Sequence, residues 1–356
     1  MEISQFQEQS KTINMKNIFT LAIAAAVLVG CAKTEANYTE AQQISFMPVS
    51  KFDTKAAVEG DEFTADQNFY VFANTTNEAL YFTKVLFKPT SSTTTEGLTI
   101  YSGNPPQYWP NVTPLKFAGY TASGNTATAE HQLDKSFGNL KVIGYTQPQP
   151  TVADAKNDLM WFFECGATNE GYLKTTAPVT PVMKHACSWI TINVMADADL
   201  VEYWKELKVI NIRLVNLHEK GTATFPNETD GIASWDFTGM TATPHVNVLT
   251  ASKSVDATPV QGEDPVEFAD VPKNTIVLPQ TPTDLSITYS YTTPAGVKGF
   301  TETKVLPLDY DGVDGTNTAW APGKHYTYNL TLTAEEIKIA PSSSDWTTGD
   351  NETIRF

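Results

Sequence analysis

Apolar side chains at every second position restrict this chain more than any other feature. Leu285, Ile287, Tyr289 and Tyr291 alternate with Ser and Thr. Tyr326, Tyr328, Leu330 and Leu332, and likewise Ile190, Ile192 and Val194, alternate with Thr and Asn. A strand turns successive side chains to opposite faces, so this period predicts half-buried β-strands and an all-β chain. Further strands are predicted over 68–73, 79–87, 114–121, 140–145 and 207–217, with Gly, Pro, Asn, Ser and Thr clusters between them as turns. The Thr-rich segment 90–96 reads as a loop. One short helix is predicted over 199–207, with Asp199 as N-cap and Leu200, Tyr203, Trp204 and Leu207 on one face. The stretch 174–184, KTTAPVTPVMK, breaks the rhythm with two prolines and separates two strand-rich halves, each of β-sandwich size.

The opening residues obey another rule. Residues 18–29 are apolar apart from Thr20, shorter than the roughly 20 residues a bilayer-spanning helix needs. Met15-Lys16 supplies a second start with a positive charge just ahead of that run, the arrangement of a signal peptide covering 1–30 with its true start at Met15. Leu28-Val29-Gly30-Cys31 resembles the bacterial lipobox, whose cysteine is diacylated on sulfur, after which the signal is cleaved before it and the new amine is usually acylated too. Several acyl chains, at about 0.8 kcal/mol per buried CH₂, make a durable anchor. The expectation is a lipoprotein attached through Cys31 that works outside the cytoplasm. Glu2, Glu8, Lys11 and Lys16 cancel within the signal, so the formal charge of −16 belongs to the mature chain from Cys31 onward. No basic stripe interrupts that acidity, which excludes nucleic acid as a partner.

Reactive chemistry is sparse. His131, His185, His218, His245 and His325 are solitary, and neither an H-x-x-x-H pair, a G-x-S-x-G elbow nor a P-loop occurs. The chain is therefore read as no enzyme, with His185 as a structural residue. Asp309, Asp311 and Asp314 are the best calcium candidates. They lack the later bidentate Glu and read as an Asp/Gly turn, so no cofactor is expected beyond lipid. Cys165 and Cys187 either pair or remain two buried thiols. Trp109 and Trp320 flank loops, where packing beneath a turn is the default over a sugar-stacking role.

Six phrases occur in order: YWPNVTPLKFAGYTAS at 108–123, DLMWF at 158–162, VMKHACSWITINV at 182–194, VLPQTPTDLSITYSY at 277–291, GKHYTYNLTLT at 323–333 and WTTGDNETIRF at 346–356. Together, after a lipobox, they resemble the successive landmarks of the fimbrillin, or Mfa-like, surface pilins of Gram-negative anaerobes. The resemblance implies two tandem transthyretin-like β-sandwich domains, over 56–180 and 181–356, with at most one or two short helices. It also implies a lipidated prosegment, 31–55, that a trypsin-like protease removes, and assembly into type V pili by donor-strand exchange between neighbouring subunits. The family's usual Thr-Arg-Ala cleavage point is here Thr54-Lys55-Ala56, so a lysine-accepting protease would cut after Lys55 or Lys51. Ile44 and Phe46 mark the strand that would be displaced. Ile337 with Ile339, and Ile354 with Phe356, mark candidate donor strands. The alternative function is that of a surface-anchored glycan- or host-ligand-binding lipoprotein, a pilus tip or anchor, that does not polymerise.

Overall fold

The computed structural model of the chain describes residues 41–50, 67–76, 79–93, 99–122, 126, 130–132, 139–147, 158–197, 200, 204–249, 253–254, 266–268, 275–293, 295–308, 319–333 and 337–345. Cys31, Lys51, Lys55, Asp309, Asp311, Asp314, Ile354 and Phe356 lie outside them.

The chain is all-β. In order along the sequence the strands are β1 (Ser45–Phe46), β2 (Val49–Ser50), β3 (Asn68–Thr75), β4 (Leu80–Thr93), β5 (Thr99–Asn104), β6 (Leu115–Ala122), β7 (Glu130–Gln132), β8 (Asn139–Thr146), β9 (Met160–Glu164) and β10 (Val182–His185). They continue with β11 (Ser188–Ala196), β12 (Lys205–Leu217), β13 (Lys220–Pro226), β14 (Ser234–Asp236), β15 (Thr243–Leu249) and β16 (Lys253–Ser254). The last are β17 (Val266–Glu267), β18 (Thr275–Val277), β19 (Asp284–Thr292), β20 (Phe300–Pro307), β21 (Lys324–Leu332) and β22 (Ile337–Asp345).

Two local expectations are corrected. The loop expected at 90–96 is strand as far as Thr93, which stands opposite Thr99. Threonine is β-branched, and its stiff side chain suits a pleated surface as well as a turn. The helix expected over 199–207 is cut short, because Lys205–Leu217 is β12. At that place the bond from the Trp204 N–H to the Leu200 carbonyl, 2.7 Å, marks a helical turn. Leu207 and Val209 are buried at alternate positions, and pairing with β19 on one side outweighs the weak helical spacing.

Two sheets in the second half pack face to face. One runs β17-β11-β21-β22 with β18 also on β11, the other β15-β12-β19-β20 with β16 also on β12. Ile190, Ile192, Val194, Tyr328 and Leu330 of the first meet Val209, Ile212, Leu214, Leu285 and Ile287 of the second in one core. The predicted alternation therefore describes the two inner faces of a sandwich.

The first half is built around the sheet β1-β5-β4-β3-β6-β9-β10-β2. Its central strands β3, β6 and β9 are buried on both faces, so β3 and β6 read as nearly unbroken apolar runs. Phe69, Val71 and Ala73 point into one core with Phe87, Phe117 and Phe162. Phe72, with the partly buried Tyr70, points the other way, toward Leu140, Val142 and Phe225 of the sheet β14-β13-β8-β7. The pairing of β8 with β13, Leu140 opposite Phe225, joins backbone from either side of residue 180. At Gly119 the two layers pinch: an added Cβ would lie 2.4 Å from the Phe162 ring and 2.6 Å from the Tyr70 carbonyl oxygen.

Candidate functional site

The residues expected to be displaced, Ile44 and Phe46, lie in the segment that holds both ends of this first sheet. β1 is antiparallel to β5, with Ser45 opposite Ser102 and Phe46 opposite Tyr101. β2, three residues on, is parallel to β10, with Val49 opposite Val182. Phe46 bridges to Val179 as well, so a single stretch closes the sheet on itself.

Backbone bonds run down both sides of it. The Ile44 N–H donates to the Gln107 carbonyl at 2.8 Å and the Trp109 N–H to the Gln42 carbonyl at 2.9 Å. Across the other side, the Met47 N–H donates to Val179 O at 2.8 Å, the Val179 N–H to Ser45 O at 2.9 Å and the Val49 N–H to Pro181 O at 2.9 Å. The stretch 174–184, which separates the strand-rich halves in the sequence, thus supplies one wall of the slot. Pro181 suits that place because its carbonyl, not the missing N–H, makes the bond to Val49.

Side chains secure the segment from within. Ile44, Phe46 and Pro48 are buried at alternate positions while Ser45, Met47 and Val49 are half-buried. The Phe46 ring has four aromatic neighbours: Phe87 at 4.9 Å, Phe117 at 5.2 Å and Phe69 at 5.9 Å edge-on, and Phe162 at 6.0 Å tilted. Aromatic pairs in such geometries add about 0.5–1.5 kcal/mol each to their burial. The strand is therefore held by two ladders and a buried aromatic anchor, and its removal would expose both walls and the box. Near one end of the box, burial pushes the Glu164 carboxyl up, opposed by the hydrogen bond it accepts from the Tyr172 hydroxyl at 2.9 Å.

Other candidates resolve as framework. Ile337 and Ile339 lie in β22, opposite Leu332 and Leu330 of β21. His185 pairs through Nδ1 with the buried Asp158 carboxylate, tying β10 to the segment before β9. Cys165 and Cys187 are free, buried thiols, and burial raises the Cys187 thiol well above its ordinary range. Trp109 packs edge-on to Phe117 at 5.7 Å, and the Trp320 indole N–H donates to the Tyr328 hydroxyl at 2.8 Å, so both lie inside the molecule. Among the described residues no group of three or more His, Cys, Asp or Glu side chains comes together to hold a metal ion. Burial pushes His325 below its usual range, and its Nε2 is hydrogen-bonded to Thr191 Oγ1 at 2.8 Å.

An all-β chain closed by its own N-terminal segment meets a family model described as fimbrillin-like over residues 54–346. The chain belongs to the fimbrillin-like family. Two solved structures are similar to this fimbrillin-like chain in fold. One is a fimbrial protein of Bacteroides vulgatus ATCC 8482, with TM-score 0.58 and 13% identity, covering 85% of this chain and 99% of its own. The other is a candidate cell-adhesion protein of Bacteroides uniformis ATCC 8492, with TM-score 0.52 and 17% identity, covering 86% of this chain and 100% of its own. No curated protein matches the sequence. Family membership supports a pilus-subunit or adhesion role at the cell surface, and a non-enzymatic one.

The aromatic box is not legible in the sequence. Phe69, Phe87, Phe117 and Phe162 come from four separate strands, and alternation assigns each to an inner face without saying which inner faces meet. The one signal pointing to it is the recurrence of Phe in three consecutive predicted strands: Phe69 and Phe72, Phe82 and Phe87, and Phe117.

Proposed function

We propose that this fimbrillin-like chain is an outer-membrane lipoprotein precursor, anchored through Cys31, that is built into a pilus supporting adhesion. A trypsin-like protease cuts after Lys55 or Lys51, and a strand from the C-terminal region of a neighbouring subunit takes the slot of residues 42–50. The two-domain division at 180/181 belongs to the same proposal. The observation that carries it is adjacency: Lys51 directly follows the strand that closes the sheet, so a cut at either lysine severs that strand from the walls it joins. An open slot would present unpaired backbone on β5 and on residues 179–183 together with an apolar box, and a donated strand satisfies both.

Limited trypsin treatment of the purified chain tests this. The expected outcome is a species beginning at Phe52 or Ala56, followed by conversion of monomer to a ladder of polymers. A double variant, Lys51→Gln with Lys55→Gln, should stay monomeric. Cleavage at these lysines that leaves only monomer over a range of concentrations would contradict the proposal.

A further inference from the structure

Five exposed apolar side chains gather at one end of the first sheet: Leu80, Tyr81, Tyr108, Val112 and Leu173, with Val112 and Leu173 at 82% and 61% of full exposure. Strand pairing places them together. β3 ends at Thr75, opposite Leu115 at the start of β6, and β4 starts with Leu80 opposite Asn74. The Thr76 N–H donates to the Pro114 carbonyl at 3.4 Å and Leu115 bridges to Tyr172, so the turns carrying Val112 and Leu173 lie at the same end. The Tyr81 hydroxyl donates to the Tyr108 carbonyl at 2.8 Å and ties the fifth residue to the group.

The chain coming from Cys31 enters the fold at this same end. Traced backward, the entering segment runs from Phe46, opposite Tyr101, to Ile44, whose N–H donates to the Gln107 carbonyl, and on to Gln43, which bridges to Tyr108. Cys31 lies eleven residues before Gln42. At about 3.3–3.6 Å per residue that link spans at most about 40 Å, the thickness of one bilayer with its headgroups. An acyl anchor on Cys31 therefore holds this end of the sheet within that distance of the lipid.

The chemistry of the end suits a membrane surface. Residues 104–114 contain no Asp, Glu, Lys or Arg, although such residues make up 18% of the chain. The neighbouring turns, 75–79 and 165–175, contribute Glu78, Glu170 and Lys174, a net charge of −1. A protein of formal charge −16 is repelled by anionic headgroups over most of its surface, and this nearly uncharged end is one it can lay against them. Tyrosine rings and aliphatic side chains are the groups that settle at a bilayer interface. The Tyr81 hydroxyl already has its acceptor, so lowering that ring among headgroups strands no polar group.

We propose that this end of the acylated precursor rests on the membrane, with Leu80, Tyr81, Tyr108, Val112 and Leu173 set among the headgroups of a phospholipid leaflet. The contact rests on the lipid anchor at Cys31 proposed above and adds to it a protein–lipid interface that fixes how the body faces the bilayer. A cut after Lys51 or Lys55 severs the tether that holds this face down, and the body is then free to leave the surface.

The test uses the full-length chain purified from membranes, its acyl groups checked by intact mass, and reconstituted in vesicles of phosphatidylethanolamine with a minority of phosphatidylglycerol. Val112→Cys and, in the turn between β19 and β20, Val297→Cys each take an environment-sensitive fluorophore, while Cys165 and Cys187 are buried and resist labelling. The expected result is that spin-labelled lipid quenches the fluorophore at position 112 several-fold more than the one at position 297. Adding Leu80→Asp with Leu173→Asp, both at exposed positions, should abolish that difference while the chain still floats with the vesicles. Equal quenching at the two positions, or none at either, in a chain that floats with the vesicles would overturn the contact and leave the anchor standing. A purified chain without acyl mass on Cys31 would overturn both.

Discussion

At the residue scale, Phe46 concentrates the account. It is fully buried among four Phe rings, and the segment bearing it is the one expected to leave. Phe46→Ala removes the anchor but neither ladder, and large-to-small changes of this kind cost about 3–5 kcal/mol. Denaturant unfolding of the uncut chain should show that loss, and polymer should form sooner after the cut. A change below about 1 kcal/mol would show that the box does not hold the strand. Gly119 is the complementary case: Gly119→Ala forces a methyl against Phe162 and the Tyr70 carbonyl, and overpacking costs about 1–3 kcal/mol, measurable in the same way. His325 sets a pH dependence. Its folded pKa lies below the unfolded value of about 6.5, so its neutral form carries full stability above that pH. As pH falls below about 6.5 the unfolded chain takes up a proton that the folded chain resists, and stability declines. His325→Gln should flatten this part of a stability–pH curve, and an unchanged curve would contradict it.

At the element scale, what was legible depended on whether a strand's environment is encoded along the strand itself. β11, β19 and β21 have one face in a core and the other on more polar neighbours, and their alternation marks them as strands. β12 was visible from Leu207 onward, but its first turn of sequence also carries a helical spacing, and only the partner β19 decides between the two. The Thr-rich end of β4 carries no alternation, and its strand character comes from β5. Strand order is not written locally at all: the wall formed by residues 179–181 looked like a linker because its partner is more than a hundred residues earlier. Among the described residues β22 is an edge strand, beside β21, which has β11 on its other side. Amide exchange should be faster across Ile337–Asp345 than across Lys324–Leu332, since an edge ladder opens without disturbing the sheet behind it. Equal protection of the two would mean that β22 is not readily released.

At the scale of the whole molecule, the fold class was legible in the sequence, and the ordered phrases pointed to the family that residues 54–346 match. The three cores were not, because the middle one draws Phe72 and Trp161 together with Phe225 and Leu278 from beyond residue 180. The candidate site was half visible: Ile44 and Phe46 could be named, whereas the box and the two walls needed the pairing of strands. The central claim is that residues 42–50 are a replaceable part of the sheet they close. Mass spectrometry of washed, trypsin-generated polymers tests it most directly. The account predicts subunits beginning at Phe52 or Ala56 with no peptide containing Ile44 and Phe46 retained, and polymers that keep that peptide at one copy per subunit would contradict it.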